Sequence, residues 1–174
     1  MRFFLFFFSL LLFFGCGNTE KREHPPAQPI PQTLTEENTY PVISIVDGDT
    51  IWVNIDGKKE KIRLVGIDTP ETEKEFTPAE CYADDAKERL QELLAGKKVA
   101  LLKNKKGDNR DQYGRLLRYV FAEGRDINAQ LIREGYAFAF RRYPHDRMHF
   151  YIEQEKKAKA EKMGMWNPEN CSYW

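Results

Sequence analysis

Residues Val46 to Glu71 constrain the fold more than any other stretch of this chain. Thr50 to Ile55 alternates apolar with polar residues, Asp56-Gly57 supplies a tight hairpin turn, and Lys61 to Ile67 returns as a second strand. Tyr40 to Val46 is β-branched and aromatic and reads as a strand as well, so the chain opens as a three-stranded meander. Thr77-Pro78-Ala79-Glu80 then carries a helix-start signature, with Thr77 as cap, Pro78 at the first helical position and Glu80 closing a capping box. Ala83, Ala86, Leu90, Leu93 and Leu94 fall on one face of that helix, and Gly96 ends it. Val99 to Leu102 and Leu116 to Phe121 are two more strands. Asp126 caps a short helix that stops at Gly135, and a last, highly charged helix starts near Asp146 and runs to Met163.

Five strands with a helix interposed after the third fit a closed barrel better than a sandwich, because closure protects the strand edges. The expected class is α+β, a five-stranded OB-fold β-barrel with about three helices. An apolar content of 41% suffices for its core, and 13% aromatic residues suit a sheet-based core over a helical bundle.

The hairpin also gathers chemistry. Asp47-Gly48-Asp49-Thr50 precedes the second strand, and Arg63-Leu64-Val65-Gly66-Ile67-Asp68-Thr69-Pro70-Glu71 ends the third. Asp49 and Asp68 come to neighbouring strand ends with Arg63 and Glu71 beside them, which places a cation site next to a phosphate clamp and a base. Taken singly, each fragment reads equally as a turn, a cap or a surface ion pair. With Asp111-Gln112-Tyr113-Gly114-Arg115, these motifs resemble those of the thermonuclease, or staphylococcal-nuclease-like, family from roughly Tyr40 to Asn167.

The resemblance implies the OB-fold and sequence-tolerant hydrolysis of DNA and RNA, leaving a 3′-phosphate and releasing a 5′-hydroxyl. It implies Ca2+ held by Asp49, Asp68 and the carbonyl of Thr69. Arg63 and Arg115 are then the catalytic phosphate clamp, and Glu71 orients or deprotonates the attacking water. Tyr113 matches a position that contacts substrate phosphate, and Tyr143 one that packs on base or sugar, although both suit barrel-rim packing too. Gln112 stands where the family often has Lys, Arg141 where an aromatic is common, and Glu73 and Glu75 make the loop after Glu71 acidic. The rival class is a non-catalytic nucleic-acid-binding barrel on a membrane lipoprotein; retention of Asp49, Arg63, Asp68, Glu71 and Arg115 together argues for turnover. His145 and His149, four apart, read as surface histidines at a helix start and not as a metal pair.

The 27 basic and 27 acidic residues cancel, so any attraction for a polyanion is local. Lys97, Lys98, Lys103, Lys105, Lys106, Arg110, Arg115 and Arg118 crowd one segment and give such a field, a solvated basic loop being the plain alternative. Met1 to Phe14 holds one charge, Arg2, and a Phe/Leu run too short for a span of about 20 residues but suited to an export signal. Its end, Phe13-Phe14-Gly15-Cys16, resembles a bacterial lipoprotein processing site with Cys16 lipidated; ordinary cleavage near Gly15 or Gly17 with release of soluble protein is the alternative. Residues 17–38, with Pro25, Pro26, Pro29 and Pro31, read as a disordered tether, leaving 39–174 as the domain of a membrane-anchored monomer in the cell envelope. With Cys16 lipidated, Cys81 and Cys171 remain as a pair in an oxidising compartment. A disulfide pinning the tail to the first helix is expected, two separate thiols being the alternative.

Overall fold

The computed structural model describes residues 38–73 and 75–172. The export signal, Cys16 and the proline-rich stretch up to residue 37 lie outside the described residues. The chain starts with β1 (Thr39–Asp47), β2 (Thr50–Ile55) and β3 (Lys58–Leu64). Asp56 and Gly57 turn the hairpin with φ of 50° and 85°, and Asn54 Oδ1 accepts the Gly57 N–H at 2.8 Å. A two-residue β4 (Ile67–Asp68) leads through a loop to α1 (Ala83–Leu94), followed by β5 (Lys98–Lys103) and β6 (Leu116–Ala122). Then come β7 (Arg125–Asp126), α2 (Ile127–Arg133), β8 (Phe138–Ala139), α3 (Met148–Ala160) and a 3-10 turn at Gly164–Trp166.

The main sheet runs β3-β2-β1-β5-β6-β7, and β3 also pairs with β6. That last pairing is parallel, from Ile62 opposite Leu116 to Leu64 opposite Arg118, and it closes β1, β2, β3, β5 and β6 into a mixed barrel. Register shifts between Val42 and Ser44 and between Ile45 and Asp47 let β1 bend, so that it serves β2 at one end and β5 at the other. β4 and β8 form a separate ribbon, Ile67 opposite Ala139 and Asp68 opposite Phe138. The α+β OB-type barrel with three helices is the architecture the strand pattern calls for.

The core follows the alternation. Ile51, Val53, Ile62, Leu64, Val99 and Val120 are fully excluded from solvent inside the barrel, and Ala83, Ala86, Leu90, Leu93 and Leu94 of α1 are buried, the face expected from the sequence. Asp126 caps α2 by accepting the Ala129 N–H at 2.9 Å, again as expected. α3 buries Tyr151, Gln154, Glu155 and Ala158. Glu155 binds the Ala139 N–H at 3.0 Å, Lys159 at 3.2 Å and the Arg141 guanidinium, so an ionised side chain fastens β8 to α3.

Three expectations are corrected. The third strand stops at Leu64 instead of continuing to Ile67, because the chain turns out of the barrel at Gly66. There φ is +80°, and a Cβ would stand 2.5 Å from the His145 ring. The first helix starts at Ala83, not at Pro78: its N-cap is Tyr82, in the left-handed region at φ 73° with no side-chain cap. Glu80, expected to close a capping box, bonds instead to the backbone of Glu71, a longer-range partner that displaces the local one. His145 is buried, only 4% exposed, and belongs to the interior, whereas His149 is exposed as expected. The Cys81 and Cys171 sulfurs are bonded, with their Cα atoms 6.0 Å apart.

Candidate active site

The turn between β1 and β2 is built around its own aspartates. Asp47 Oδ1 accepts the Asp49 N–H at 3.1 Å, and the Asp49 carbonyl accepts the Leu64 N–H at 2.8 Å, which ties the turn to the end of β3. Gly48 lets this turn lie flat: a Cβ there would come within 2.9 Å of both Ala86 Cβ and Thr69 Oγ1. Asp49 is consequently almost wholly buried, 6% exposed, with one oxygen on the Thr50 hydroxyl at 3.0 Å. Its other oxygen faces the Thr69 N–H at 3.4 Å, the Thr69 hydroxyl at 3.3 Å and Arg63 Nη2 at 2.8 Å.

Arg63 joins the two acids. The same Nη2 reaches Asp68 Oδ1 at 3.0 Å, while Nη1 donates to the carbonyls of Leu64 at 2.7 Å and Ile67 at 3.0 Å. Burial raises the Asp49 carboxyl to about 7 despite the Arg63 charge, with Asp47 and Asp68 adding to the rise. Burial raises Asp68 as well, again opposed by Arg63 and reinforced by Glu71 and Glu80. Two carboxyls whose pKa burial raises, meeting at one cationic nitrogen, form a place where positive charge is wanted.

Arg115 enters from the other side of the barrel closure. Asp111 organises its turn, accepting the Tyr113 N–H at 3.0 Å, the Arg115 N–H at 2.9 Å and Arg115 Nε at 2.6 Å. Arg110 forks on Glu60 at 2.9 and 3.0 Å and donates to the Gly114 carbonyl at 2.7 Å, fastening the turn to β3. Arg115 Nη1 then donates to the Thr50 hydroxyl at 3.3 Å, and that hydroxyl itself donates to Asp49. Thr50, fully buried, therefore links the two halves of the site. Sequence reasoning passed over Thr50 and Asp111 as carriers of the site. The available signal was their place inside the two motifs, each next to a charged residue whose orientation needs a partner.

Thr69 is buried against Asp49, and Glu71 is exposed just beyond the buried Pro70. Glu80 clasps Glu71: its Oε2 accepts the Glu71 N–H at 2.9 Å, and its own N–H donates to the Glu71 carbonyl at 2.9 Å. Tyr113 and Tyr143 are 74% and 63% exposed, so neither is a rim residue packed into the barrel. Tyr113 lies 5.5 Å from the Arg115 guanidinium, at the site, whereas Tyr143 contacts Phe140 and Arg142 at 5.9 Å each. Arg141, where an aromatic was the common choice, is engaged with Glu155. The basic segment is partly neutralised, Lys97 by Glu123 at 3.0 Å and Arg110 by Glu60, while Lys103, Lys105 and Lys106 stay exposed.

For a metal, the donor set is all hard oxygen. Among the described residues no three Asp, Glu, His or Cys side chains converge; a cation held by Asp49 and Asp68 would need backbone, water and substrate oxygens to complete its shell. That composition fits a divalent ion of flexible coordination.

Fold and site together define a class: small OB-type barrels that carry an acid and arginine cluster on the rim beside the first hairpin. Residues 61–168 match the family described as staphylococcal nuclease homologue, and the chain belongs to that family. It is 39% identical over 132 residues to the thermonuclease of Staphylococcus hyicus, covering 75% of this chain and 77% of that protein. It is 40% identical over 126 residues to endonuclease YncB of Bacillus subtilis strain 168, covering 70% of this chain and 58% of that protein. The SPbeta prophage-derived endonuclease YokF of the same strain is 41% identical over 126 residues, which is 42% of its length. The matched region thus spans about half the length of the two Bacillus relatives.

Proposed function

We propose that this protein is a nuclease, a calcium-dependent hydrolase of phosphodiester bonds in DNA and RNA. The observation that carries the reading is Arg63 Nη2 bridging Asp49 at 2.8 Å and Asp68 at 3.0 Å, with Arg115 brought to the same cluster through Thr50. The names of the relatives, thermonuclease and endonuclease, support it.

Asp49, Asp68 and the Thr69 carbonyl are the groups that would hold Ca2+, and the bound ion would neutralise charge gathering on the phosphate. Arg63 and Arg115 present planar forks to the phosphate oxygens, so they stabilise the extra charge of in-line attack. Glu71 orients the attacking water and takes its proton. The water oxygen bonds to phosphorus as the bond to the 5′-oxygen breaks, and that oxygen takes a proton from solvent, giving 5′-hydroxyl and 3′-phosphate ends. Tyr113, beside Arg115, offers its hydroxyl and ring face to the same phosphate and its neighbouring sugar.

The deciding experiment digests single-stranded and duplex DNA with the full chain, with calcium or with chelator. We expect polymer loss with calcium only, and a drop of about two orders of magnitude or more in Arg63→Ala. Binding without cleavage under both conditions would replace this reading with the non-catalytic module. We further propose that the protein is exported and works as a monomer tethered through lipid on Cys16. Incorporation of labelled palmitate, absent in Cys16→Ala, tests the anchor; an unlabelled, fully soluble wild type would discard it.

A further inference from the structure

We infer that Glu80 is a positioning residue for Glu71 and that the Cys81–Cys171 disulfide holds Glu80 in place, so that the oxidation state of this pair sets how fast the site works. The inference rests on the nuclease reading and adds a residue and a covalent bond to it.

Glu71 sits on an exposed loop, where a backbone ordinarily wanders. Glu80 removes that freedom from both sides: its carboxylate takes the Glu71 N–H at 2.9 Å, and its N–H takes the Glu71 carbonyl at 2.9 Å. Two bonds flanking one Cα fix the direction in which that residue's side chain leaves the chain. The placement is costly for an ordinary surface acid, because Glu80 brings a further negative charge to a cluster where it already helps to raise Asp68. A carboxylate kept there against repulsion has a task, and its visible task is the Glu71 peptide.

What holds Glu80 is equally specific. The next residue is Cys81, bonded to Cys171, which is buried and whose N–H is held by the Asn167 carbonyl at 3.1 Å. After it, Tyr82 takes the left-handed backbone at φ 73°, a conformation that a bulky residue adopts only when its surroundings impose it. Its surroundings are the disulfide on one side, the stack of Tyr82 on Tyr136, with ring centroids 5.2 Å apart, on the other, and the Ala83 N–H donating to the Glu80 carbonyl at 3.1 Å. Reduction removes the first. A dithiol passes two electrons and two protons to the sulfur pair, leaving two thiols, and itself closes to a disulfide. The strained turn then relaxes and Glu80 leaves Glu71.

The test uses the full chain with Glu80→Ala, Glu80→Gln and the Cys81→Ser/Cys171→Ser pair, below the melting range of every variant. Glu80→Gln keeps an oxygen for the Glu71 N–H and should stay near wild type. Glu80→Ala should lower kcat about tenfold or more at unchanged KM, as expected for a misplaced base. Loss of the disulfide, by substitution or by dithiol, should lower kcat in the wild type and change nothing further in Glu80→Ala. Hydrogen exchange supplies a readout independent of activity: the Glu71 amide should be protected in wild type and Glu80→Gln. It should exchange fast in Glu80→Ala and after reduction, while β2 and β6 amides stay protected. A wild-type kcat in Glu80→Ala, or equal losses on reduction with and without Glu80, would overturn the inference. Should the chain prove not to be a nuclease, the exchange data still decide, and Glu71 protection indifferent to Glu80 and to reduction would refute it.

Discussion

Among single residues, Thr50 is the least conspicuous and the most connected member of the site. Its hydroxyl donates to Asp49 at 3.0 Å and accepts from Arg115 at 3.3 Å, so one buried oxygen fixes an acid just ahead of β2 and an arginine just ahead of β6. Thr50→Val keeps the shape and removes both bonds. Turnover should fall roughly tenfold and stability by about 1–2 kcal/mol, while Thr50→Ser stays close to wild type on both counts. Initial rates and denaturant midpoints for the two variants decide this, and equal rates in both would take Thr50 out of the site. That Asp49, Arg63 and Asp68 come together was legible from the sequence, because one hairpin and its exit carry them. Thr50 was not, since its meaning depends on Arg115, which reaches it only once the barrel closes. Asp111 hid for a simpler reason: met only as the first residue of its motif, it does not show its service to three separate groups of its own turn.

Between elements, His145 is the clearest joint. Its ring fills the space over Gly66, its Nδ1 meets the Tyr119 hydroxyl of β6 at 3.3 Å, and its Nε2 meets the Phe140 carbonyl just after β8 at 3.2 Å. A neutral ring protonated on Nε2 satisfies both bonds, donating to the carbonyl and accepting from the hydroxyl. Burial holds this imidazole below its ordinary 6.5, against the pull of the Phe140 carbonyl and of Asp146. The unfolded chain therefore takes up the proton first as pH falls, and the stability that neutral His145 contributes is lost from 6.5 downward through the folded value. Asp49 and Asp126, both raised by burial, act in the opposite sense, so the histidine's share is read as a difference between proteins. Denaturant midpoints of the wild type should fall more steeply below that pH than those of His145→Gln. Parallel curves would mean that the ring carries no linkage. The same joint explains why the third strand was read too long: Val65 to Ile67 keeps a strand-like pattern, but the room for His145 makes Gly66 an exit. The early helix start failed alike, where a local capping box lost Glu80 to Glu71. Patterns that repeat along one element were legible; choices settled by a partner many residues away were not.

For the whole molecule, formal neutrality conceals an uneven surface, with Lys103 at the end of β5 and Lys105 and Lys106 just after it exposed, and Glu73 and Glu75 exposed on another loop. The barrel itself is joined by a short parallel seam, Ile62 to Leu64 against Leu116 to Arg118, between strands separated in sequence by α1 and β5. Local pairs such as the first hairpin form early, whereas a seam of such distant partners forms late, after the entropy of a long loop has been overcome. Asp49, Arg63 and Asp68 lie on the early side of that order, and Arg115 arrives only with the strand that completes the seam. A half-synthesised chain holds the acids without their second arginine. The seam therefore sets the order of assembly: Asp49, Arg63 and Asp68 are joined by Arg115 only when β6 closes the barrel against β3.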